Sequence, residues 1–348
     1  MRFWTTPRSL LDLITESVAC RSGILLTDHD VRSLVQGTPL EQWTGVFDRP
    51  QDAQIGIRPE FVEDFVRVLR AAIGNLPDAT PGGILSIRRL KKLTDRGIDI
   101  APVFDAINSL MDSDRYKSIG EEFVKEVISI TGMPLEVVAE VVLALADHQE
   151  RDSLLMQYMP AEWDGARPLS DLFSTETAPK DPERYFEQRF IDFLVAQGER
   201  LDKMHWRNFE RLTAEYFHRN NYAVQLGPGS KDGGVDIRLW PKDSDRTLPP
   251  LMLIQCKRYK RDTLVELEYV KALWADVSFE GAQGGLIATT ARISPDGKRI
   301  AEARKYPLSF AENASVRDWT RSMWRYSWDE EKRQTVGVGN FLLPPVLP

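Results

Sequence analysis

The sequence predicts an α/β protein in two parts: a mainly α-helical N-terminal region, then a mixed sheet flanked by helices. Three observations support this. Residues 1–160 carry apolar side chains at spacings of three and four, with threonine and proline at the starts of the runs, which is the period of amphipathic helices. Residues 183–332 alternate helical and strand-like runs, the pattern of a sheet covered by helices on both faces. Between them, residues 161–182 are rich in Pro, Asp and Thr, as in Thr175-Glu176-Thr177-Ala178-Pro179-Lys180-Asp181-Pro182, and mark a linker. At 348 residues the chain is long for one domain and sufficient for two with separate cores.

In the first part, Thr6 caps and Pro7 opens a helix whose Leu10, Leu11, Ile14 and Val18 fall together. Pro59 opens another, with Phe61, Phe65, Leu69 and Ile73 on one face. Pro134 opens a third over 135–146, apolar nearly all round and therefore a core helix. Asp112-Ser113-Asp114 starts like a calcium loop but lacks the glycine and the twelfth-position glutamate, which excludes it. The basic run Ile87-Arg88-Arg89-Leu90-Lys91-Lys92 reads as a solvated helix face.

In the second part, helices are predicted at 185–201 and 206–219, the latter with Phe209, Leu212 and Tyr216 on one side. Strands follow at 222–226, 234–239 and 251–257, with 243–250 as the connection between the last two. A helix is predicted at 264–279 from Leu267, Val270, Trp274 and Val277, then a strand at 285–290, a helix at 295–305 and a strand at 308–310. Ser315 with Asp318 forms an approximate capping box for a last helix. The tail, 333–348, is apolar and Pro-rich, suited to disorder or to docking on a partner.

Net charge is −7, unevenly spread: 19 Lys and Arg against 28 Asp and Glu over 1–180, and 26 against 24 over 181–348. The second part is thus the better partner for a polyanion. Cys20 and Cys256 give neither a disulfide framework nor a cysteine zinc site, which points to a reducing, cytoplasmic setting. The N-terminus lacks the apolar stretch of a signal peptide, and no run of about 18 apolar residues exists to span a membrane.

The chemistry concentrates in two segments. Asp236 ends Gly233-Gly234-Val235-Asp236, and nineteen residues later Gln255-Cys256-Lys257 sits inside the apolar run that begins at Leu251. Side chains alternate along a strand, so Gln255 and Lys257 share one face and Cys256 takes the other. If the two strands are neighbours, a carboxylate, an amide oxygen and an ammonium converge. Metal-assisted phosphodiester hydrolysis needs this set: oxygen ligands for a hard divalent cation and a positive charge beside the attacked phosphate. Plainer readings stand beside it. Asp236 after two glycines is suited to capping a turn, and Lys257-Arg258 to protecting a strand edge. Cys256 reads as a small core residue, and His205 and His218, with no metal or HNH spacing, as structural or surface. Trp274, spaced with Val270 and Val277, reads as core rather than as a base-stacking ring; Tyr259 is the other candidate for stacking.

The order of Phe209-Glu210, then Gly233-Gly234-Val235-Asp236-Ile237, then Gln255-Cys256-Lys257-Arg258-Tyr259, then Gly285-Leu286-Ile287-Ala288-Thr289-Thr290 resembles the Mrr-type restriction endonuclease domain. That family belongs to the PD-(D/E)xK nuclease superfamily, and the resemblance covers roughly 205–325. It implies a restriction-endonuclease-like sheet, with Asp236 as central metal ligand, Gln255 in the slot that Glu or Asp holds in the wider superfamily, and Lys257 as catalytic lysine. Glu210 would supply the second carboxylate; its plain reading is a solvated helix-surface residue. The implied cofactor is Mg²⁺, with Mn²⁺ as a substitute. The neutral amide of Gln255 lowers the negative charge around the cation and so predicts weaker metal affinity than a Glu would give.

The resemblance further implies endonuclease cleavage of DNA to 5′-phosphate and 3′-hydroxyl ends, in restriction or defence against foreign DNA. Lys231, Arg258, Lys260, Arg261, Arg292, Lys298 and Arg299 lie on or beside the motif segments and are the natural phosphate contacts. Residues 1–160 would recognise a target, sense a signal from a partner or dimerise; cutting both strands with one site per chain favours a homodimer. The rival readings are a nuclease fold that binds nucleic acid without cutting, and an enzyme for RNA or branched DNA.

Overall fold

The computed structural model describes residues 2–76, 82–112, 116, 120–156, 165–229 and 234–325. Residues 113 and 114 of the rejected calcium loop, Lys231, Gly233, positions 157–164 around the start of the predicted linker, and the tail lie outside the described residues.

In chain order the first part contains β1 (Phe3–Thr5), α1 (Pro7–Ser22), β2 (Ile24–Leu25), α2 (Asp28–Val35), β3 (Ile55–Ile57), α3 (Pro59–Ala72), α4 (Gly82–Asp95), α5 (Ala101–Asp112), α6 (Glu121–Thr131) and α7 (Leu135–Met156). The helix starts follow their sequence signals. The Thr6 hydroxyl accepts from the Ser9 N–H at 3.2 Å, a cap worth about 1 kcal/mol. Leu10, Ile14 and Val18 of α1 are buried, as are Phe65 and Leu69 of α3 and Ile73 at its end. Helix α7 continues past the predicted 146 to Met156, and its Leu135 is exposed while Val137, Val138, Val141 and Val142 are buried. In α4, Lys91 and Lys92 are exposed and Arg89 pairs with Glu140 of α7 at 3.1 Å, as a solvated face allows.

The second part holds β4 (Arg167–Pro168), α8 (Asp171–Ser174), α9 (Gln188–Ala196), α10 (Trp206–Arg219), β5 (Tyr222–Leu226), β6 (Ile237–Pro241), β7 (Met252–Lys257), β8 (Leu264–Val265), α11 (Leu267–Glu280), β9 (Gly284–Thr289), β10 (Arg292–Ile293), α12 (Pro295–Ala303), β11 (Leu308–Ala311) and α13 (Asn313–Ser322). Five of these strands form one sheet in the order β11-β9-β7-β6-β5. It is mixed: β5, β6 and β7 run antiparallel in turn, while β7, β9 and β11 are parallel. One face packs α10 and α13 through Phe209, Leu212, Ile237, Ile254, Cys256, Leu286 and Val316, and α9 packs against α13 in the same apolar cluster. The opposite face packs α11 and α12 through Leu253, Val270, Leu273, Val277, Ile287 and Ala301.

Four details depart from the sequence expectation. The predicted helix 185–201 breaks into α9 and a 3-10 turn, Gly198–Lys203, at a glycine where a Cβ would lie 2.9 Å from the Arg317 guanidinium. The helix predicted from 264 starts at Leu267, since Leu264 and Val265 pair in parallel with Arg292 and Ile293. Ser315 does not cap α13. It lies inside the helix, and Glu312 occupies the cap position with its carboxylate used instead by the Ile293 N–H and Lys298. Residues 165–182, read as linker, are packed: β4 pairs with β2, Leu169 and Leu172 are buried, and Thr177 binds Asn208 of α10.

The cores are distributed unevenly. The α1–α3 helices share one apolar cluster with α9, α10 and their face of the sheet. Helices α4–α7 form a separate cluster around Val103, Ile107, Phe123, Val127, Val138 and Val141.

Candidate active site

Asp236 and Gln255 are brought together by the antiparallel pairing of β6 with β7, in which Ile237 faces Ile254. The Asp236 N–H donates to the Ile254 carbonyl at 3.0 Å, and Asp236 Oδ2 accepts from the Cys256 N–H at 2.6 Å. The carboxylate is thus fixed against the main chain between Gln255 and Lys257, not spent on a local turn. Gly234, at φ +96, makes the approach possible: it adopts a left-handed conformation, and a Cβ there would lie 3.1 Å from Gln255 Nε2.

Strand β7 alternates as the sequence predicted. Ile254 and Cys256 enter the α10 face, while Leu253 enters the α11 face, the side that Gln255 and Lys257 share by their register. Gln255 is buried, and its Oε1 meets no donor. Lys257 Nζ stands 4.5 Å from the centroid of the Tyr269 ring. Because β7 is the middle strand of five, Lys257 is not an edge-strand guard.

Glu210 comes from the first half of α10, where Phe209 and Leu212 anchor the helix in the core. It is buried rather than solvated, and its Oε2 accepts from Arg207 Nη1 at 2.5 Å. Arg207 also donates to the Gly227 carbonyl at 2.7 Å and to Glu176 at 3.3 Å, so one guanidinium joins the Glu210 helix to the loop that leads toward Asp236. Sequence reasoning missed Arg207, although its i, i+3 spacing to Glu210 on a helix was a usable signal.

The Cys256 thiol lies on the α10 face of β7. Burial pushes its pKa well up, and the Asp236 and Glu210 carboxylates push further in the same direction; a Thr213 hydrogen bond and the Lys257 charge oppose them. The thiol itself stays protonated and unreactive, as its core position suggests.

The Thr289-Thr290 pair frames the C-terminal end of β7. The Thr289 hydroxyl donates to the Lys257 carbonyl at 2.7 Å, and the Thr290 hydroxyl donates to the Tyr259 carbonyl at 2.6 Å while accepting from its N–H at 3.0 Å. Tyr259 is turned into the α11 side, with its hydroxyl 3.2 Å from that of Tyr269, rather than presented for base stacking. Trp274 stacks on Tyr306 and belongs to the same core.

Arg258, Lys260, Arg261 and Arg292 collect around this end of the sheet; the last three are exposed, and Arg258 Nη1 contacts the Asp202 carbonyl at 3.4 Å. Lys298 and Arg299 are engaged at the surface with Glu312 and Asp296. His205 precedes α10 beside Arg258; burial lowers its pKa, Arg258 lowers it further and Glu176 opposes, which favours a neutral imidazole. His218 lies in the last turn of α10 against Tyr185.

The restriction endonuclease family model Mrr_cat matches residues 201–319. An uncharacterized protein of Sinorhizobium fredii (strain NBRC 101917 / NGR234), y4cE, is 28% identical over 125 residues, covering 35% of this chain and 32% of that protein. The chain therefore spans about a third of the length of this curated relative. The solved MspJI restriction endonuclease in complex with a 27-mer oligonucleotide is 15% identical, with a TM-score of 0.30, over 66% of this chain and 50% of that one. The span that matches this family model, residues 201–319, includes Glu210, Asp236, Gln255 and Lys257.

Proposed function

We propose that the protein is a metal-dependent endonuclease that hydrolyses phosphodiester bonds of DNA. The observation that carries this reading is the buried Gln255 Oε1, an acceptor with no donor, on the residue before Cys256, whose N–H donates to Asp236 Oδ2, in a span that matches a restriction endonuclease family model. Leaving such an atom unsatisfied costs about 1–3 kcal/mol, which a bound cation would offset. Among the described residues no group of three His, Cys, Asp or Glu is suited to a metal ion. With Asp236 and Glu210 as the two carboxylates, the third protein oxygen falls to the Gln255 amide, a set that fits Mg²⁺ or Mn²⁺.

When bound, the cation supplies Lewis acidity: it offsets phosphate charge and makes nearby water more acidic. The protein supplies the rest. Lys257 orients the attacking water and stabilises charge that develops on the phosphate. Arg258, Lys260, Arg261 and Arg292 hold the backbone near the end of β7, fixing register without reading bases. Restriction of foreign DNA is the role that fits such chemistry. Residues 1–160 then serve target recognition, signal sensing or dimerisation. Free Cys20 and Cys256 suit a reducing compartment. Among the described residues no helix is long and apolar enough to cross a membrane.

The test is cleavage of supercoiled plasmid, methylated and unmethylated, with Mg²⁺, Mn²⁺ or EDTA. Expected is metal-dependent cutting that EDTA abolishes and that Lys257→Ala reduces by about 10²–10³ while DNA binding persists. Binding without cutting under every condition would make the domain a silent binding module. Cutting confined to RNA or branched DNA would move the substrate.

A further inference from the structure

We propose that Tyr269 is the positioning residue of Lys257: the face of its ring fixes where the ammonium stands. The inference rests on the nuclease reading, since Lys257 can be positioned for chemistry only if it takes part in it.

A lysine side chain is four flexible carbons ending in a compact charge, and nothing in its own backbone fixes the position of that charge. Here the Lys257 ammonium lies 4.5 Å from the Tyr269 ring centroid, within the range at which a cation is attracted to a ring face. Tyr269 is half-buried in the first turn of α11, packed against the core beneath the sheet. Its hydroxyl is 3.2 Å from that of Tyr259, which lies two residues beyond Lys257. Burial, then the bond to Tyr269, raises the Tyr259 pKa to about 12, so this hydroxyl keeps its proton at neutral pH.

The frame is closed on the main chain as well. Thr289 binds the Lys257 carbonyl and Thr290 binds both the N–H and the carbonyl of Tyr259, so the strand end carrying the lysine and the tyrosine is held at three points. A ring that served only to fill the core would not need its face toward the one ammonium of the strand. This geometry also gives the Tyr259 and Thr289-Thr290 positions a shared purpose: they set the platform on which the lysine rests.

The experiment compares single-turnover cleavage and KM for plasmid DNA in the full chain carrying Tyr269→Phe, Tyr269→Trp or Tyr269→Leu, with Lys257→Ala as control. Phe and Trp keep a ring face and are expected to stay within about threefold of wild type; Leu is expected to lose about two- to thirtyfold in rate with KM unchanged. A Leu variant as fast as wild type beside an inactive Lys257→Ala overturns the inference and leaves the nuclease reading intact. Loss in Phe equal to loss in Leu, or a change confined to KM, also overturns it. Normal cleavage by Lys257→Ala removes Lys257 from the mechanism and takes the inference with it.

A second measurement reads position without activity. In reductively ¹³C-dimethylated protein, the Lys257 signal, identified by its absence in Lys257→Arg, is expected upfield from ring current in wild type and Tyr269→Phe, and at the solvent-exposed lysine position in Tyr269→Leu. A wild-type Lys257 signal already at that position overturns the proposal.

Discussion

The second half of α10 and the end of β7 each bury a polar side chain, and they treat it in opposite ways. Around Glu215, every oxygen is engaged: Oε1 accepts from Arg184 at 3.2 Å and Arg219 at 2.7 Å, and Oε2 from the Tyr185 and Phe186 N–H groups at 2.8 and 3.2 Å. At the end of β7, Gln255 is buried too, but its Oε1 has no donor. A saturated buried carboxylate is part of the framework; a buried acceptor left open is a cost that the fold alone does not explain. The difference is the ground on which we assign Glu215 to the framework and propose Gln255 for chemistry.

That contrast is broken most sharply by stability. Glu215→Ala strands two arginines and two N–H groups, and we predict a loss of about 3–5 kcal/mol in chemical denaturation. Gln255→Leu removes an unsatisfied acceptor and is predicted to change stability by less than about 1 kcal/mol, yet to reduce metal-dependent cleavage by about 10². Equal destabilisation by both variants would erase the distinction. Gln255→Glu sharpens it: the added charge is predicted to lower the metal concentration for half-maximal cleavage about tenfold. The same variant should melt lower than wild type in EDTA and recover with Mg²⁺, because an uncompensated carboxylate beside Asp236 is repelled and desolvated. The smallest effect is chemical. Cys20 is exposed and Cys256 is buried with its thiol pKa pushed up, so a thiol reagent is expected to label Cys20 in the native protein and Cys256 only after unfolding.

Much of the sheet and its neighbouring helix was legible in the sequence because local signals and long-range contacts agreed. The predicted 206–219 and 222–226 match α10 and β5, where apolar period and turn residues point the same way. The alternation that sends Cys256 to one face and Gln255 to the other follows from strand geometry alone. What stayed hidden depends on tertiary approach. Tyr269 looks like one more aromatic on a helix, and only the packing of α11 beneath β7 brings its ring to Lys257. Residues 165–182 read as linker from their composition, while Leu169, Leu172 and the Thr177 bond to Asn208 tie them to α10. The capping box at Ser315 failed for a comparable reason: Glu312 is drawn to Ile293 and Lys298, across the sheet from its own helix. Ser294, by contrast, caps α12 through the Gly297 N–H at 3.1 Å, a signal present in Ser294-Pro295 and not used.

We propose that Asp236, Glu210 and the Gln255 amide hold a divalent cation. Electron paramagnetic resonance titration of Mn²⁺ tests it directly, without reliance on cleavage. Expected is bound Mn²⁺ in the wild-type protein that Mg²⁺ displaces and that disappears in a folded Asp236→Ala variant. Mn²⁺ bound equally well by wild type and Asp236→Ala would contradict it.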